Sequence, residues 1–440
     1  SQGGWLQEPP AQRLPPGHPP LVPRRRSLGE NFHVRILYLS YRYPPVARAS
    51  NLHRSLAETL VARGHDVTVV TKYPTEYVPE DESVPAHLPV REVMRGVNVV
   101  RVRGLPGVHR IVVMRALEHI VAGLAFVRAI KAIPRPDVML TISPPMPVAF
   151  VSAFYSRLAR IGCVLNLHDL YPRTAVELGL LKNRWVIWAM KRLENAIYRL
   201  STHIVVTNRG SVPYLVQQKK IPPDRVSRVP NWVPLDSLSS NGGADKFRAE
   251  YGLEGRCVVS YAGVMGFAQD LSTIIDCARL LQARSDIVFL LIGDGVYAEK
   301  WKLAAAGLEN VRFLPPVTEE RYYDALRASD IGLVALTESL ESPAIPGKMH
   351  NIMAVARPVV AVVPSKGNTA EVVRESRCGF VVVPGDKENL RNRIEELAGR
   401  PDLRNELGAH GRSYAEQNFS LEKAADIYER ILKDAQDRPI

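Results

Sequence analysis

The sequence predicts an α/β protein with two doubly wound parallel-sheet domains that face each other across a cleft. The first observation is the length of 440 residues, with 46% hydrophobic and 23% charged side chains, which is ordinary globular composition for two or three domains. The second is that short β-branched runs alternate with segments of helical period from residue 33 onward. The third is that this order of strands and helices occurs twice along the chain.

The first Rossmann-like domain is expected over residues 31–212. Its strands are predicted from the apolar runs VRILYLS, HDVTVVT, NVVRVRG, DVMLTIS, CVLNLHD and HIVVTN, and its helices from periodic segments near residues 49–63, 111–132 and 184–199. The uncharged stretch 138–156 is about long enough to cross a membrane, but its three prolines divide it into a strand, a turn and a helix. No transmembrane helix is therefore predicted.

The second Rossmann-like domain is expected over residues 213–412. Its strands are predicted from RVSRVPN, VVSYAG, IVFLLIGDG, VRFLPP, IGLVAL, PVVAVV and GFVVVP, with helices near residues 271–283 and 319–328 and two closing helices after residue 386. We expect the chain end, residues 413–440, to form a helix that packs back on the first domain. Residues 1–30 contain seven prolines and no secretory signal, so we expect a disordered extension there.

The net charge of +12 lies entirely in the first half of the chain. Residues 101–210 carry sixteen basic and five acidic side chains, a bias that attracts an anionic surface, nucleic acid or phosphorylated lipid, unless it is only a solvated face. The segment NRWVIWAMKRLENAIYRL adds Trp185 and Trp188, which suit either a helix in a headgroup layer or core packing. The regional charge favours the membrane.

Cysteine usage points to a reducing compartment. The four cysteines, Cys163, Cys257, Cys277 and Cys378, lie in apolar runs and show no CxxC or histidine spacing suited to a metal. Neither a disulfide framework nor a zinc site is predicted, and a cytoplasmic location fits best.

Glycines and polar residues follow several predicted strands, where the carboxyl ends of two parallel sheets would meet one cleft. The turn 263–270 enters a helix whose free amides and positive dipole end suit an anion, although tight packing also requires such glycines. The turn 293–295 has turn chemistry as an equal explanation. Lys348 adds a point charge at the start of another helix. In the first domain, His168 and Asp169 follow a strand and should point into the cleft.

These segments together resemble the GT-B glycosyltransferases of family 4, in particular the branch that builds bacterial surface polysaccharides such as O-antigens on lipid-linked acceptors. The resemblance extends from about residue 33 to residue 430. The segments that carry it are YRYPPVARASNLHRSLAETLVARGHDVTVVT, TISPPMPVAF, LNLHDLYPRTAVELG, HIVVTN, RVPNWV, YAGVMGFAQDL, IGDGVYAEKWK, VRFLPPVTEERYYDALRASDIGLVAL and IPGKMHNIMAVARPVVAVV.

The resemblance implies that the second domain binds a nucleotide-diphosphate sugar, expected to be a UDP-sugar, and that the first domain binds a polyprenyl-diphosphate-linked acceptor. The implied catalytic residues are His168, Asp169 and Lys348. The implied acceptor-binding residues are Arg48 and Asn51. The implied donor-binding residues are Gly263, Gly266, Gln269, Asp270, Gly293, Asp294, Gly295, Val317, Glu341, Gly347 and Asn351.

Within that set, the resemblance places Gly263 and Gly266 against the diphosphate and the turn 293–295 beside the base. Lys348 and the amides of its helix would neutralise the leaving phosphate. Family members typically work without a metal, so no cofactor and no metal site are expected. The reaction would be retaining, and the expected partners are the donor, the lipid-linked acceptor and the anionic inner face of the cell membrane, with no nucleic acid.

The chain departs from the family where many members carry two glutamates eight positions apart, because Pro343 and Asn351 stand there. We expect Asn351 to hydrogen-bond ribose hydroxyls and Glu338 or Glu341 to supply a displaced carboxylate. The family's arginine and lysine in the glycine turn are also missing, with Val264 and Gln269 or Asp270 near their places.

Two other functions fit the same pattern. One is a sugar-nucleotide epimerase of this architecture, and the other is a catalytically silent subunit that binds a glycan lipid. A dinucleotide oxidoreductase is disfavoured because no GxGxxG follows the first strand with an acidic residue at the right distance. Nucleic-acid binding would explain the charge but not three turns suited to phosphate.

Overall fold

Two parallel sheets and their surrounding helices make up the computed structural model. It describes residues 33–44, 51–73, 88–104, 112–233, 235, 243–340, 343 and 345–438. All of these belong to one compact unit, Phe32–Ile440. The extension expected at residues 1–30 lies outside the described residues.

The first sheet has eight strands. They are β1 (Arg35–Leu39), β2 (Asp66–Lys72), β3 (Arg91–Met94), β4 (Val97–Val102), β5 (Val138–Ser143), β6 (Gly162–Leu167), β7 (His203–Val206) and β8 (Val226–Arg228). Their order is β3-β4-β2-β1-β5-β6-β7-β8, and β3 alone runs antiparallel to its neighbour. Strands β5 and β6 are buried along their whole length, and their sequences are mostly apolar, with Thr141, Ser143 and Asn166 as buried polar residues. The strand order reverses between β1 and β5, so a ligand crevice is expected there.

The three long helices predicted for this domain are confirmed. The helices are α1 (Asn51–Ala62), α2 (Val112–Lys131), α3 (Met146–Ala159), α4 (Arg173–Glu177), α5 (Arg184–Leu200) and α6 (Ser211–Pro213), which continues into a π-helical turn, Tyr214–Gln218. Asn183 caps α5, since its side-chain oxygen accepts from the N–H groups of Trp185 and Val186. The short strand β3 is not predicted; its hairpin turns through Arg95 and Gly96, both with positive φ.

The second sheet has six parallel strands. They are β9 (Cys257–Ala262), β10 (Ile287–Ile292), β11 (Val311–Leu314), β12 (Ile331–Ala335), β13 (Val359–Val362) and β14 (Gly379–Val382). The order is β11-β10-β9-β12-β13-β14, so it reverses between β9 and β12. The helices that follow are α7 (Ala244–Glu250), α8 (Ser272–Leu280), α9 (Ala298–Ala304), α10 (Glu319–Ala328), α11 (Gly347–Ala354), α12 (Asn368–Ser376), α13 (Lys387–Gly399), α14 (Pro401–Asn418) and α15 (Leu421–Asp437).

The boundary between the domains differs from the expectation at residue 212. The run RVSRVPN, expected to open the second domain, instead forms β8, which pairs in parallel with β7 at the edge of the first sheet. The chain crosses over later, where the Val233 N–H donates to the Phe419 carbonyl at 3.0 Å. The boundary expected at residue 413 falls inside α14. Both boundaries depend on contacts between distant parts of the chain, which the sequence alone does not show.

Helix α15 lies on the first sheet, beside β5, β6 and α1. Its buried residues recur every three or four positions, so one stripe of the helix faces the core of the first domain. Tyr428 packs edge-on against Trp232 with ring centres 5.9 Å apart. The C-terminal helix therefore completes the core of the domain at the other end of the sequence.

Post-strand segments of the two sheets contact each other. Asn208, just after β7, donates from its amide to the Pro343 carbonyl at 3.3 Å, and Arg54 of α1 forms a 3.4 Å ion pair with Glu319 of α10. The carboxyl edges of the sheets thus lie on opposite sides of one cleft.

Candidate active site

Lys348 and Gly263 meet where the strand order of the second sheet reverses. Gly263 follows β9, and Lys348 lies in the first turn of α11, after the neighbouring strand β12. The Nζ atom of Lys348 lies 3.6 Å from the centre of the Tyr261 ring. A Cβ atom added to Gly263 would lie 3.0 Å from the same Nζ. The fold therefore brings together the lysine and the glycine that were expected to border a diphosphate.

The ammonium group of Lys348 is poorly stabilised. Its Nζ is inaccessible to solvent and has no hydrogen-bond partner among the residues that the structure describes. Burial lowers the pKa of Lys348 to about 7, because the charged form loses its hydration. The ring face of Tyr261 offsets only part of that loss. A bound anion would supply the missing counter-charge.

The glycine turn after β9 is held by its own side chains. The Gly266 N–H donates to Oε1 of Gln269 at 3.2 Å, and Oδ1 of Asp270 accepts from the Ser272 N–H at 2.9 Å. Gln269 therefore fastens the turn and Asp270 caps the first turn of α8. Both side chains were expected to bind the donor, which stays a prediction, and both have these local partners.

Gly293 and Gly295 are required by the packing of two turns against each other. A Cβ atom at Gly293, whose φ is 137°, would lie 2.0 Å from the Gly263 carbonyl oxygen, and one at Gly295 would lie 2.4 Å from the Met265 carbonyl oxygen. Oδ1 of Asp294 accepts from the Gly295 N–H at 2.7 Å. Turn packing thus explains both glycines, and the donor-binding role expected of this turn stays a prediction.

The amide of Asn351 is shared between two tyrosines on α10. Its Nδ2 donates to the hydroxyl of Tyr322 at 3.1 Å, and its Oδ1 accepts from the hydroxyl of Tyr323 at 3.4 Å. Asn351 therefore ties α11 to α10. The ribose role expected for this amide would have to compete with those two contacts.

The remaining donor-side residues are distributed along the same edge. Gly347 opens α11 with no atom within 4 Å of an added Cβ. Val317 is half-buried against the core of the second domain, and Glu338 is exposed. Glu341 lies outside the described residues. Of the described residues in this group, Gly347 borders open space next to Lys348.

In the first domain, His168 and Asp169 follow β6 at the carboxyl edge, as expected. Burial lowers the pKa of His168 to about 4, and its buried Nε2 has no hydrogen-bond partner among the described residues. The side chain of Asp169 is exposed at the cleft surface. The surrounding protein still displaces part of the water around its carboxyl and so raises the pKa of that group. A neutral imidazole and a carboxylate of raised proton affinity thus stand side by side.

His53 is a neighbour of His168 that sequence reasoning missed. Its ring centre lies 5.4 Å from that of His168, and its Nδ1 is 3.1 Å from the hydroxyl of Tyr38. Burial, and secondarily the charge of His168, hold the pKa of His53 well below its usual value. The signal available was a histidine in the helix that follows the first strand, which alone does not indicate a partner 115 positions later.

A buried ion pair at the same edge was also missed. Lys72, the last residue of β2, contacts the carboxylate of Glu118 on α2, and the hydroxyl of Tyr41 donates to Glu118 at 2.6 Å. Burial opposes ionisation, yet the hydrogen bonds from Lys72 and Tyr41 keep the pKa of Glu118 below its usual range. A charged residue at the end of an apolar strand was the signal for this pair.

Arg48, expected to contact the acceptor, lies outside the described residues. Asn51 is the first residue of α1, and its side chain is not among those described. Among the described residues, no three histidine, cysteine or acidic side chains are grouped in a way that could hold a metal ion.

The aromatic residues of α5 are on the surface. Trp185 is 71% and Trp188 is 56% exposed, so the core-packing explanation for them is wrong. Within the described chain, no helix combines the length and apolar character needed to span a bilayer.

These observations define a doubly wound, two-domain α/β protein with its cleft at the carboxyl edges of both sheets. Two family models match it: the glycosyl transferase 4-like domain over residues 49–232 and the glycosyl transferases group 1 model over residues 256–400. Together they cover about three quarters of the chain. The chain belongs to the GT-B glycosyltransferases of the family 4 type, and it is a transferase enzyme.

The chain is similar to known proteins both in sequence and in structure. The probable glycosyltransferase WbjE of Pseudomonas aeruginosa is 26% identical over 69% of this chain and 76% of its own length. The putative colanic acid biosynthesis glycosyl transferase WcaI of Escherichia coli is 23% identical over 50% of this chain and 56% of its own. HepE from Anabaena in complex with UDP superimposes with a TM-score of 0.66 at 17% identity, over 91% of this chain and 100% of that one. The predicted GT-B fold is thereby confirmed.

Proposed function

We propose that this chain is a retaining glycosyltransferase that moves a sugar from a UDP-sugar to the glycan of a polyprenyl-diphosphate lipid in the synthesis of a surface polysaccharide. The observation that carries the proposal is a face of the first domain that is apolar and bears only positive charge. We call it the three-helix face, formed by α2, α3 and α5. A protein that docks this face on the cytoplasmic surface of the cell membrane meets its acceptor there.

The three helices pack side by side, α2 on α3 and α3 on α5. Their exposed apolar side chains are between 45% and 71% accessible. They are Leu117, Ile120, Leu124, Phe154, Leu158, Trp185, Val186 and Trp188. An apolar surface of this kind, rich in aromatic and aliphatic side chains beside basic ones, suits insertion into a headgroup layer.

Charge on the three-helix face is of one sign. Its helices contain two carboxylates, Glu118 and Glu194, and both are buried and paired with lysines. The exposed charges on these helices are basic, namely Arg128, Lys131, Arg157, Arg184, Lys191, Arg192 and Arg199. Each basic group near an anionic bilayer contributes about 1 kcal/mol, so several together give reversible, salt-sensitive binding.

The donor part of the proposal is supported by the proximity of Lys348 to Gly263 and by the proteins to which the chain is similar. HepE, which shares the fold, binds UDP and UDP-glucose. WcaI is named as a putative glycosyl transferase of colanic acid biosynthesis. A UDP-sugar whose diphosphate reaches Lys348 would place its sugar toward the edge that holds His168 and Asp169.

In the proposed reaction, the acceptor oxygen forms a bond to the anomeric carbon on the same face of the sugar from which the diphosphate oxygen leaves, so the configuration is retained as the old bond breaks. Lys348 and the amides that open α11 stabilise the charge that grows on the diphosphate. Asp169 takes the hydroxyl proton, for which its raised pKa suits it. His168 is neutral near pH 7 and binds the sugar through hydrogen bonds only.

The transfer test uses the purified protein, a panel of UDP-sugars and vesicles that contain a polyprenyl-diphosphate glycan. The expected products are UDP and an extended lipid, with the anomeric configuration retained. A changed UDP-sugar formed without acceptor would indicate an epimerase, and no turnover at all would indicate a binding subunit. Asp169→Asn should lower turnover by about 10² or more while the dissociation constant of the donor stays unchanged.

The membrane test measures binding to phosphatidylglycerol vesicles. Binding should fall steeply with added salt and keep a residual part that disappears in the Trp185→Ser/Trp188→Ser variant. The matched control is Leu280→Ser/Leu303→Ser, which removes two exposed apolar side chains from the second domain. A protein that ignores these vesicles at low salt would refute the membrane part of the proposal.

A further inference from the structure

A basic cavity lies beside the three-helix face and takes no part in the site described above. Its volume is about 760 Å³, within the range of ligand sites, and its walls come from α4, α5 and the residues around the π-helical turn. Five basic side chains and one acidic side chain line it. They are Arg173, Lys191, Arg199, Lys219, Lys220 and Glu177.

Three residues that line the cavity, Tyr214, Lys219 and Asn195, belong to a polar network. Glu194 is buried and accepts from the hydroxyl of Tyr214 at 2.7 Å and from the ammonium of Lys219, which also donates to Asn195 at 3.0 Å. π-Helical turns such as the one that begins at Tyr214 are frequent at functional sites. Lys220 follows with φ at 58°, an uncommon conformation for a residue with a side chain. This part of the wall is therefore built before any ligand arrives.

The charge at the mouth of the cavity is uncompensated. Arg173 pairs with Glu177 and Lys219 with Glu194. Lys191, Arg199 and Lys220 form no ion pair with any residue that the structure describes. Three free cations around one concave surface attract a multiply charged anion, for which a diphosphate has the right charge density.

The position of the cavity indicates an anion carried on an apolar chain. On α5, Ile187, Lys191 and Asn195 line the cavity at a spacing of four residues, and Trp188 and Arg192 form the adjacent row of the same helix. Trp188 belongs to the three-helix face, so the cavity opens beside the surface proposed to meet the membrane. Arg173 is only four residues past Asp169, a reach of about 14 Å at most.

We propose that this cavity binds the diphosphate of the lipid-linked acceptor, which makes it a second phosphate site, separate from the donor site at Lys348. This inference rests on the proposed function, because a lipid diphosphate is the acceptor only if that function holds. A diphosphate held here places the first sugars of the acceptor within reach of Asp169. The site selects acceptors by their lipid diphosphate rather than by the terminal sugar.

The binding experiment uses farnesyl diphosphate as the probe, measured by calorimetry with UDP at saturation. The variant is Arg199→Gln/Lys220→Gln, which removes two exposed charges and leaves the buried Glu194 network intact. The matched control is Arg128→Gln/Lys131→Gln, two exposed charges at the end of α2 outside the cavity. Wild type and control should bind the probe, and the cavity variant at least tenfold more weakly, with thermal unfolding unchanged in all three.

Other probes identify what the cavity recognises. Inorganic diphosphate should bind more weakly than farnesyl diphosphate, and farnesol should not bind. Displacement of the probe by UDP, or equal affinity in the cavity variant, would overturn the proposal. Equal competition by a short-chain phosphatidylglycerol would assign the cavity to a phospholipid headgroup and overturn the acceptor assignment.

The transfer assay separates this inference from the function it rests on. The cavity variant should raise the KM for the lipid-diphosphate acceptor at least tenfold relative to the Arg128→Gln/Lys131→Gln control, which removes two charges from the three-helix face. The KM for an alkyl glycoside acceptor should be the same in both variants. If wild type transfers sugar and the cavity variant has the same KM as the control variant for the lipid-diphosphate acceptor, the cavity assignment fails and the function stands. If wild type transfers to no lipid yet probe binding follows the variants as expected, the phosphate site stands and the function fails.

Discussion

Donor affinity should depend on pH through Lys348. In the free protein, burial lowers the pKa of this lysine to about 7, so at pH 8.5 most molecules hold it neutral. A diphosphate beside Nζ favours the charged form and raises the pKa in the complex. Binding therefore takes up a proton at any pH between the two pKa values. Affinity should be level below pH 7 and fall as the pH rises above it.

The size of the effect follows from the free pKa. If the pKa in the complex lies well above 8.5, the dissociation constant scales with one plus the ratio of neutral to charged lysine in the free protein. From pH 6.5 to pH 8.5 that factor grows about 25-fold, which corresponds to about 2 kcal/mol. The slope approaches tenfold per pH unit at the upper end.

The assay is calorimetric titration with UDP-glucose, whose diphosphate does not change ionisation in this interval. Repeating it in buffers of different ionisation enthalpy measures the proton uptake directly, which should approach one proton at pH 8.5. Lys348→Met should bind weakly with no slope, and Lys366→Met, an exposed lysine of the same domain, should behave as wild type. A level affinity in wild type, or the same slope in Lys348→Met, would refute the reasoning.

Three further outcomes are expected. Gly293→Ala should lower the free energy of unfolding by about 3 kcal/mol, because its Cβ would meet the Gly263 carbonyl, whereas Gly347→Ala should leave chemical denaturation unchanged; equal effects would contradict the packing argument. Asn351→Ala should cost about 1 to 2 kcal/mol of stability through its lost tyrosine contacts, seen as a lower melting temperature, and a purely donor-affinity effect would contradict that. Lys348→Ala should lower turnover at saturating donor by about 10², and unchanged turnover would remove its catalytic role.

The strands of the fold were predictable where burial is complete. Strands β6 and β10 are buried on both faces, and their sequences, apolar apart from Asn166 in β6, mark them clearly. The edge strands β3 and β8 are short and partly polar, so their sequences resemble loops. Pairing with a neighbour defines them, and pairing depends on parts of the chain that a local pattern does not include.

The candidate site divides in a similar way. The positions of Lys348, His168 and Asp169 follow from their place after buried strands, which sequence reveals. The partners of Gln269, Asp270 and Asn351 do not, since a residue type that can bind a ligand can equally cap a helix or bridge two helices. Asn351 has a side chain suited to bind ribose, and the structure shows that its amide contacts two tyrosines 28 and 29 positions earlier.

On the three-helix face, the charge composition indicated a basic surface where the local apolar pattern was ambiguous. Leu117, Ile120 and Leu124 recur at the spacing of a core stripe, so α2 alone would be taken for a buried helix. The count of charges over residues 101–210 gave no structural detail. It could nevertheless be made without knowing which apolar stripe of each helix faces the core. The fold places α2, α3 and α5 together and buries both of their carboxylates against lysines. Those two ion pairs bury the carboxylates of these helices, so the exposed charges of α2, α3 and α5 are basic and lie on the same helices as the exposed apolar side chains.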